Sequence, residues 1–386
     1  MAECRLAWFA THPIQYQAPL LRAIAATPGV DLTAFFFSDF STRAYVDAEF
    51  GRAVEWDMPL LDGYRYEFVP SRAPVDRTTF TRPVISGLGE ILTARRFDAV
   101  LVQGWSHYGY VEAAWRARRA GLRVLLRCEA TDHVTGSVGL KRAAREALVG
   151  FLFRRVDRFL AIGAHNRAFY LRRGIPAERI GAMPYCVDND LFGSRAQIAD
   201  VAGLRRELDL DSRPVLLYAS KLTRRKHADD LVAAYRKLAE PRPYLLVVGD
   251  GELRGPLESA AADLPEVRFL GFRNQTELPA YYALADVFVL PSVDETWGLV
   301  VNEAMTAGCA IVASDQVGSA ADLIRQGENG FVVPARNVEA LSAALAATME
   351  GGRYRGMGER SREIIETWGI RENVAGLVDA LTGSQK

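Results

Sequence analysis

Residues 287–314 read VFVLPSVDETWGLVVNEAMTAGCAIVAS, and this stretch decides the fold. It begins with four apolar residues, crosses the loop Val293–Trp297, continues through the helix-length segment Gly298–Ala307 and returns to an apolar run at Ala310. The apolar runs do not alternate with polar residues, which predicts strands buried on both faces, as in parallel sheets covered by helices. The stretch therefore predicts a strand–helix–strand unit of an α/β fold.

Apolar runs of the same kind recur along the chain, each followed by a segment of helical length. The other predicted strands are Leu6–Ala10, Leu32–Phe37, Ala99–Val102, Val124–Leu126, Phe159–Ile162, Val215–Ala219, Leu245–Val248, Val267–Leu270 and Phe331–Val333. This alternation predicts a doubly wound architecture. The series restarts at Pro214, after a polar and charged stretch. We therefore predict four segments: a first domain over residues 1–190, a linker over 191–213, a second domain over 214–360, and a terminal helix over 361–386 that packs back toward the first domain.

Length and composition fit a two-domain protein of the cytoplasm. The chain has 386 residues, of which 49% are hydrophobic and 24% charged, as in ordinary globular domains. Its four cysteines lack metal-ligand spacing, which favours reduced thiols. Neither a signal peptide nor a spanning helix is predicted. Residues 1–195 hold 26 basic and 20 acidic residues, an excess that suits an anionic acceptor or lipid surface but also fits ordinary scatter.

Glu295 and Glu303 lie on either side of a predicted helix start. Glu295 belongs to the loop after a strand, and Glu303 lies about a turn and a half into the helix that follows. The free amides and positive dipole end of such a helix attract phosphate. A nucleotide sugar would fit here, with its diphosphate at the amides of Gly298, Leu299 and Val300. The alternative is two glutamates that simply face solvent.

The run from residue 285 to 334 strongly resembles the family 4 retaining glycosyltransferases. The matching pieces are A-D-V-F-V-L-P-S, E-x7-E, E-A-M-x-A-G and G-x-x-G-F-V-V-P. The resemblance implies the GT-B fold, an α/β architecture of two Rossmann-like doubly wound domains facing a central cleft. It implies transfer of a hexose-type unit from a nucleoside diphosphate sugar, with a UDP-sugar favoured over a GDP-sugar, without cofactor or metal. It further implies that Glu295 binds hydroxyls of the donor sugar and Glu303 binds the ribose.

Basic and aromatic residues follow other strands of the second half. Lys221 and Lys226 come after the strand Val215–Ala219, where cations neutralise a diphosphate leaving group. The family usually has arginine at position 221, and a solvated basic loop is the alternative. Phe272 and Arg273 resemble the loop that contacts the nucleotide base, although packing of a simple turn explains them equally well.

The acceptor side of the predicted site is less defined. Many relatives carry a histidine where this chain has Glu129, a carboxylate that would orient or deprotonate a hydroxyl if burial raised its pKa. His12, His107, Asp132 and His133 are further candidates, because each follows a predicted strand. Histidines and aromatic neighbours at such places are also often structural.

The partners expected from these features are a nucleotide sugar and a saccharide, lipid-linked or small-molecule acceptor, without nucleic acid. The basic segment Leu140–Leu160 allows peripheral contact with the inner face of the membrane, although a helix packed on the sheet fits it better. Two rival functions stay open: a sugar-nucleotide epimerase on the same fold, and a catalytically silent protein that binds nucleotide sugars.

Overall fold

The computed structural model describes residues 3–47, 49–73, 75–132 and 139–383. Contacts divide the chain into two compact units. Unit 1 comprises Met1–Tyr45, Met58–Tyr185 and Ile370–Lys386, and unit 2 comprises Val46–Asp57 and Cys186–Gly369. Chain order and unit membership therefore differ at two places: a short segment of the first half belongs to unit 2, and the C-terminal helix belongs to unit 1.

The described residues form parallel strands connected mostly by helices. The strands are β1 (Cys4–Ala10), β2 (Val30–Phe36), β3 (Tyr45–Asp47), β4 (Arg52–Val54), β5 (Arg65–Phe68), β6 (Ala99–Val102), β7 (Arg123–Arg127), β8 (Arg158–Ala161), β9 (Ile180–Ala182), β10 (Val215–Ala219), β11 (Tyr244–Val248), β12 (Val267–Gly271), β13 (Val287–Leu290), β14 (Ala310–Ser314) and β15 (Gly330–Val333). The α-helices are α1 (Gln17–Ala25), α2 (Leu88–Ala94), α3 (Tyr108–Arg119), α4 (Leu140–Phe153), α5 (Ala164–Arg172), α6 (Asn189–Gln197), α7 (Val201–Glu207), α8 (Ala228–Arg236), α9 (Arg254–Ala260), α10 (Leu278–Leu284), α11 (Leu299–Ala307), α12 (Ala320–Leu323), α13 (Val338–Met349), α14 (Tyr354–Ile365) and α15 (Ile370–Thr382). Short 3-10 helices lie at Phe40–Thr42, Ala177–Arg179, Arg224–Lys226 and Glu350–Gly352.

Unit 1 is built on a seven-stranded parallel sheet in the order β5-β2-β1-β6-β7-β8-β9. Successive side chains of a strand point to opposite faces, and both faces of β1 are buried. Leu6 and Trp8 join the core formed with α1 and α15, whereas Ala7 and Phe9 join the core formed with α2, α3 and α4. Helices cover both faces, which explains why the strand sequences are apolar throughout.

Unit 2 is built on a six-stranded parallel sheet in the order β12-β11-β10-β13-β14-β15. The chain order reverses between β10 and β13, which pair side by side, so the loops after these two strands leave the same edge next to each other. Such a reversal is where open α/β sheets bind ligands. β3 and β4 form a separate two-stranded sheet.

Every strand predicted from an apolar run is present, with bounds shifted by at most two residues. The short strands β3, β4, β5 and β9 were not predicted, because each contains a charged residue or a glycine and forms no apolar run. Residues 191–213, predicted as a linker, are largely helical: they contain most of α6 and all of α7, which pack against α10 and α11 within unit 2. Among the described residues, no helix is long and apolar enough to cross a membrane.

Gly376 tests the packing of α15 on the sheet of unit 1. A methyl group at this position would overlap the carbonyl oxygen of Ala182 at the end of β9. We expect Gly376→Ala to lower the free energy of unfolding by about 2–4 kcal/mol, since backbone cannot move aside as a side chain can. Gly356→Ala is the matched control, because Gly356 lies in α14 with nothing within 4 Å of an added methyl. It should gain roughly 0.5–1 kcal/mol from helix propensity. Equal thermal unfolding midpoints for the two variants would contradict the packing described.

Candidate active site

Two loops meet where β10 and β13 end, and they carry a buried ion pair. Lys226 closes the 3-10 helix after β10, and Glu295 lies in the loop between β13 and α11. The Lys226 ammonium pairs with the Glu295 carboxylate, and their side chains are only 9% and 11% exposed. The Arg225 guanidinium lies 3.5 Å from the same carboxylate. Burial lowers the pKa of Lys226, and the negative charge of Glu295 opposes that effect.

Backbone hydrogen bonds hold the Glu295 loop in place. The Val293 amide donates to the Arg225 carbonyl at 2.8 Å, which joins the two loops. The Glu295 amide donates to the Gln316 carbonyl at 3.2 Å, and its own carbonyl accepts from the Gly318 amide at 3.0 Å. Glu295 is thus fixed on both sides by the loop after β14. Its side chain is positioned before any ligand arrives.

Gly298 starts α11 without a side-chain cap. Its φ of +85° lies in the left-handed region, and an added Cβ would stand 3.1 Å from Leu290 and 3.2 Å from Val317, so a side chain there would be both strained and crowded. The first amides of a helix have no partner within it. Leu299 and Val300, the first two residues of α11, are half-buried, and their amides lie at the electropositive end of the helix.

Glu303 is buried on α11 and pairs with a residue of α10. The Tyr282 hydroxyl donates to Glu303 Oε2 at 2.9 Å. Burial raises the pKa of Glu303 to about 7, although the hydrogen bond from Tyr282 favours the ionised form. This carboxyl group therefore changes charge near neutral pH. As a carboxylate it is an acceptor only, suited to hydroxyl groups of a ligand.

Trp297 supports this arrangement, and sequence reasoning did not single it out. It is 2% exposed, its indole N–H donates to Asn302 Oδ1 at 2.9 Å, and its ring stacks on Trp368 with centroids 5.6 Å apart. The stack fixes the loop between Glu295 and Gly298 against the end of unit 2. A tryptophan beside a glycine in a short loop is the signal in the sequence that could have drawn attention to it.

Lys221, the second predicted diphosphate ligand, has different partners. Its ammonium lies 3.0 and 3.1 Å from the two Asp47 oxygens and 2.8 Å from Glu49 Oε2. It also lies 4.7 Å from the centroid of the Phe50 ring. Lys221 therefore faces acidic residues of the segment that joins unit 2 from the first half of the chain.

The two residues predicted to contact the base lie after β12. The Phe272 ring meets the Phe50 ring edge-on, with centroids 5.0 Å apart. Arg273 Nη1 lies 3.2 Å from Glu277 Oε1, and the Arg273 guanidinium lies 5.4 Å from the centroid of the Tyr281 ring. Phe272 packs against Phe50, whose ring also contacts Lys221, whereas Arg273 is engaged with α10.

One group of three potential metal ligands occurs among the described residues, namely His227, Asp229 and Asp230. The Arg336 guanidinium lies 3.2 Å from Asp230 Oδ2 and 2.8 Å from His227 Nδ1. An arginine thus supplies positive charge at this cluster. The residues fit a salt-bridged helix start better than a metal centre.

Glu129 is the residue of unit 1 that was predicted to orient or deprotonate the acceptor hydroxyl. It follows β7 and is exposed, so the burial expected for it is absent. The Tyr185 hydroxyl donates to Glu129 Oε1 at 2.5 Å, and the Arg127 guanidinium lies 4.8 Å from the Tyr185 ring centroid. Burial and the charge of Glu129 raise the pKa of Tyr185 well above its usual range. Tyr185 therefore stays protonated and orients the carboxylate.

Two of the candidate histidines of unit 1, His107 and His12, differ in their partners. His107 is fully buried. Its Nδ1 accepts from the Gly109 amide at 3.0 Å and its Nε2 lies 2.9 Å from the Pro83 carbonyl. It is the N-cap of α3, so the prediction of an acceptor-binding role for His107 gives way to a structural one. His12 contacts Thr11 through Nδ1 at 2.9 Å, and burial lowers the pKa of His12 to about 4, which makes it a neutral imidazole at pH 7.

Asp132 is tied to α5. It pairs with Arg172 and, at 3.1 Å, with Arg173. Burial opposes its ionisation, but the hydrogen bonds from the two arginines outweigh burial and lower the pKa of Asp132. This side chain therefore has a structural partner of its own. His133 lies outside the described residues.

Comparison with known proteins matches both halves of the chain to glycosyltransferase families. Residues 14–186 match the Glycosyl transferase 4-like domain, and residues 203–365 match Glycosyl transferases group 1. The chain is 33% identical over 288 residues to a GDP-mannose-dependent alpha-mannosyltransferase of Mycobacterium tuberculosis, covering 72% of each protein. It is 28% identical to the protein of the same description from Mycolicibacterium smegmatis, covering 80% of each.

Solved structures agree on the fold. Anabaena HepE in complex with UDP superimposes with a TM-score of 0.75 at 17% identity, over 99% of this chain and all of HepE. Sucrose-phosphate synthase from Thermosynechococcus elongatus gives a TM-score of 0.72 at 22% identity, over 98% of each chain. Together with the family matches, these similarities identify the protein as a glycosyltransferase: the chain belongs to family 4 of the GT-B glycosyltransferases.

Proposed function

We propose that the protein transfers a hexosyl unit, with retention of anomeric configuration, from a nucleoside diphosphate sugar to a hydroxyl acceptor. The observation that carries this proposal is the uncapped helix start at Gly298, which follows Glu295, the partner of Lys226, and precedes the buried Glu303 along the chain. Free amides and an ammonium suit a diphosphate, and two carboxylates suit the hydroxyls at its two ends. Unit 2 would bind the donor and unit 1 the acceptor.

Each donor-side residue has a distinct part in this proposal. The first amides of α11 and Lys226 would hold the diphosphate, with Lys221 as a second cation. Glu295 would accept hydrogen bonds from the transferred sugar, and Glu303 from the ribose. Phe272 would pack against the base. Arg273 has less freedom to do so, because Glu277 already engages it.

The proposed reaction requires little covalent chemistry from these side chains. The bond between the anomeric carbon and the diphosphate oxygen breaks, and the diphosphate keeps the electron pair. A bond to the acceptor oxygen forms, and the proton of the acceptor hydroxyl passes to the leaving diphosphate. Lys226 and the helix start would stabilise the negative charge that grows on the leaving group, where burial strengthens electrostatic effects. Glu129 is the candidate for orienting the acceptor hydroxyl, because it is exposed and held by Tyr185.

Relatives bear on the base and sugar of the donor. The mycobacterial relatives at 28–33% identity are described as GDP-mannose-dependent, whereas the UDP complexes of HepE are only 17–18% identical. We therefore put GDP-mannose first and UDP-glucose second, which reverses the preference for uridine drawn from the sequence alone.

Some of these relatives are phosphatidylinositol monomannoside mannosyltransferases, and they support a saccharide or lipid-linked acceptor here. In unit 1, α4 packs Val149, Leu152 and Phe153 into the core, while Leu140 at its start is 91% exposed. Contact between that end of α4 and the inner face of a membrane belongs to the same proposal, and so does a cytoplasmic location.

The donor proposal is tested with a panel of GDP-mannose, UDP-glucose, UDP-galactose and ADP-glucose. We expect one nucleotide class to raise the thermal unfolding midpoint, and its sugar nucleotide to release nucleoside diphosphate only when a sugar acceptor is added. Donor conversion without any acceptor would favour an epimerase. Binding without turnover across a broad acceptor panel would favour a silent binding protein.

Lys226→Ala is expected to lower turnover by about 10²–10³-fold, because the leaving diphosphate loses a buried cation. The measurement is kcat for nucleotide release at saturating donor, with circular dichroism to verify folding. Arg224→Ala is the matched control: Arg224 lies in the same 3-10 helix, but its side chain is 87% exposed, and its loss should change kcat less than about twofold. Near wild-type turnover in Lys226→Ala would overturn the assignment.

Donor binding should depend on pH through Glu303. Its pKa of about 7 means that the hydroxyl-accepting carboxylate is lost as pH falls below 7. We expect the KM for donor to rise up to about tenfold per pH unit between roughly pH 6.5 and 5.5, and to level off above about pH 8. Glu303→Gln should bind donor more weakly at pH 8 and show no such rise at low pH.

Glu303→Gln is expected to weaken donor binding but to stabilise the fold. The folded state binds more protons than the unfolded state between the ordinary glutamate value of 4.5 and the raised pKa of about 7, so Glu303 destabilises the fold increasingly as pH rises through that window. Its full penalty above pH 7 is on the order of 3 kcal/mol. Glu303→Gln should therefore be more stable than the wild type at pH 8, and this advantage should fall toward pH 4.5. A constant stability difference across this range would show that Glu303 does not titrate there.

A further inference from the structure

Residues Val46–Asp57, which we call the acidic segment, pack on unit 2 although they lie in the first half of the chain. The described part of the segment carries Asp47, Glu49, Glu55 and Asp57 against a single basic residue, Arg52. It therefore brings an excess of negative charge to the unit that contains the proposed donor site.

The N-terminal part of the acidic segment contacts the cations proposed to bind the diphosphate. Three carboxylate oxygens of Asp47 and Glu49 lie within 3.1 Å of the Lys221 ammonium, which has three N–H groups to donate. Glu49 also lies 3.7 Å from Arg225. Burial disfavours ionisation of Asp47 and Glu49, but hydrogen bonds, including those from Lys221, outweigh it and lower the pKa of both. At neutral pH the two carboxylates cancel the positive charge of Lys221 and Arg225.

The same segment covers the aromatic residue proposed to contact the base. Phe50 meets the Phe272 ring with centroids 5.0 Å apart, and the Arg52 guanidinium lies 5.2 Å from the centroid of that ring. The acidic segment thus contacts the proposed donor site at two separate places, one anionic and one aromatic. This is the combination of groups that a nucleoside diphosphate would present.

The C-terminal part of the segment is held by residues that follow Phe272 in the chain. The Asn274 side-chain amide donates to the Glu55 carbonyl at 2.7 Å, and the Thr276 amide donates to Asp57 Oδ2 at 3.1 Å. These contacts involve neither Lys221 nor Phe272. Loss of the contacts with Lys221 and Phe272 would therefore leave these hydrogen bonds of Glu55 and Asp57 intact.

We propose that the acidic segment is an autoinhibitory element, in which Asp47 and Glu49 occupy the diphosphate cations and Phe50 covers the base-contacting ring until a nucleotide sugar displaces them. The inference rests on the proposed function of the donor site. Binding of the donor exchanges carboxylate partners of Lys221 for phosphate oxygens, so the acidic segment reduces nucleotide affinity. It also keeps the cations away from other anions while the donor is absent.

Asp47→Asn combined with Glu49→Gln tests the proposal, since it removes both charges and keeps side-chain size. We expect the double variant to bind GDP or UDP, measured by isothermal titration calorimetry, roughly 3- to 10-fold more tightly than the wild type. Glu252→Gln combined with Glu258→Gln is the matched control. It also removes two acidic charges from unit 2, but those residues pair with Arg224 and Arg254, and nucleotide affinity should stay unchanged.

Limited trypsin digestion of the wild type provides a second measurement that does not depend on a variant. Arg52 is exposed, and release of the segment from Phe272 should make cleavage after Arg52 faster at saturating nucleotide. Unchanged or weaker nucleotide binding in the double variant, or unchanged or slower cleavage after Arg52 with nucleotide, overturns the autoinhibitory role alone. Failure of the wild type and all variants to bind GDP and UDP overturns the donor site and this inference together.

Discussion

The buried ion pair between Lys226 and Glu295 is the interaction on which the candidate site depends. Moving a charged group out of water costs several kcal/mol, and a partner charge offsets that cost only when the two are held in good geometry. Here the geometry comes from the loops after β10, β13 and β14, which hydrogen-bond to one another through their backbones. A diphosphate sugar would offer each member a new partner, phosphate for the ammonium and hydroxyls for the carboxylate. Binding would therefore exchange partners rather than leave a buried charge alone.

Glu303 is also a buried acidic group, but it has no cationic partner among the described residues. The Tyr282 hydroxyl donates to it, but burial dominates and the proton is held up to a pKa of about 7. A carboxyl group of this kind lowers the stability of the ligand-free fold in its ionised form. That cost is understandable if hydroxyls of a bound ribose stabilise the carboxylate. Ionisation of Glu303 then lowers the stability of the ligand-free fold and favours donor binding.

Sequence reasoning succeeded where the information was local. The strand β13, the helix α11 and the positions of Glu295 and Glu303 follow from apolar runs, a glycine stop and residue spacing within one short stretch. It could not foresee that Asp47 would meet Lys221, because 174 residues separate them and β3 and β4 are too short to carry a pattern. His107 shows the opposite error. Its place after a strand favoured a binding role, yet one ring nitrogen caps α3 through the Gly109 amide. The other ring nitrogen contacts the Pro83 carbonyl, 24 residues earlier in the chain, and the sequence does not display that contact.

The acidic segment also changes how the charge of the chain is understood. Four cations lie between positions 221 and 226, and such a cluster would repel itself without counter-charges. The segment and Glu295 supply most of those charges, so the loop is close to neutral as a whole before a ligand binds. Its transfer to unit 2 leaves the residues of unit 1 with 26 basic and 16 acidic side chains, a larger excess than the halves of the sequence suggested. Since unit 1 is the proposed acceptor-binding unit, its charge favours an anionic acceptor or an acceptor at an anionic lipid surface. The acidic segment thus neutralises positive charge at the proposed donor site. Because its carboxylates belong to unit 2, unit 1 keeps a larger excess of positive charge.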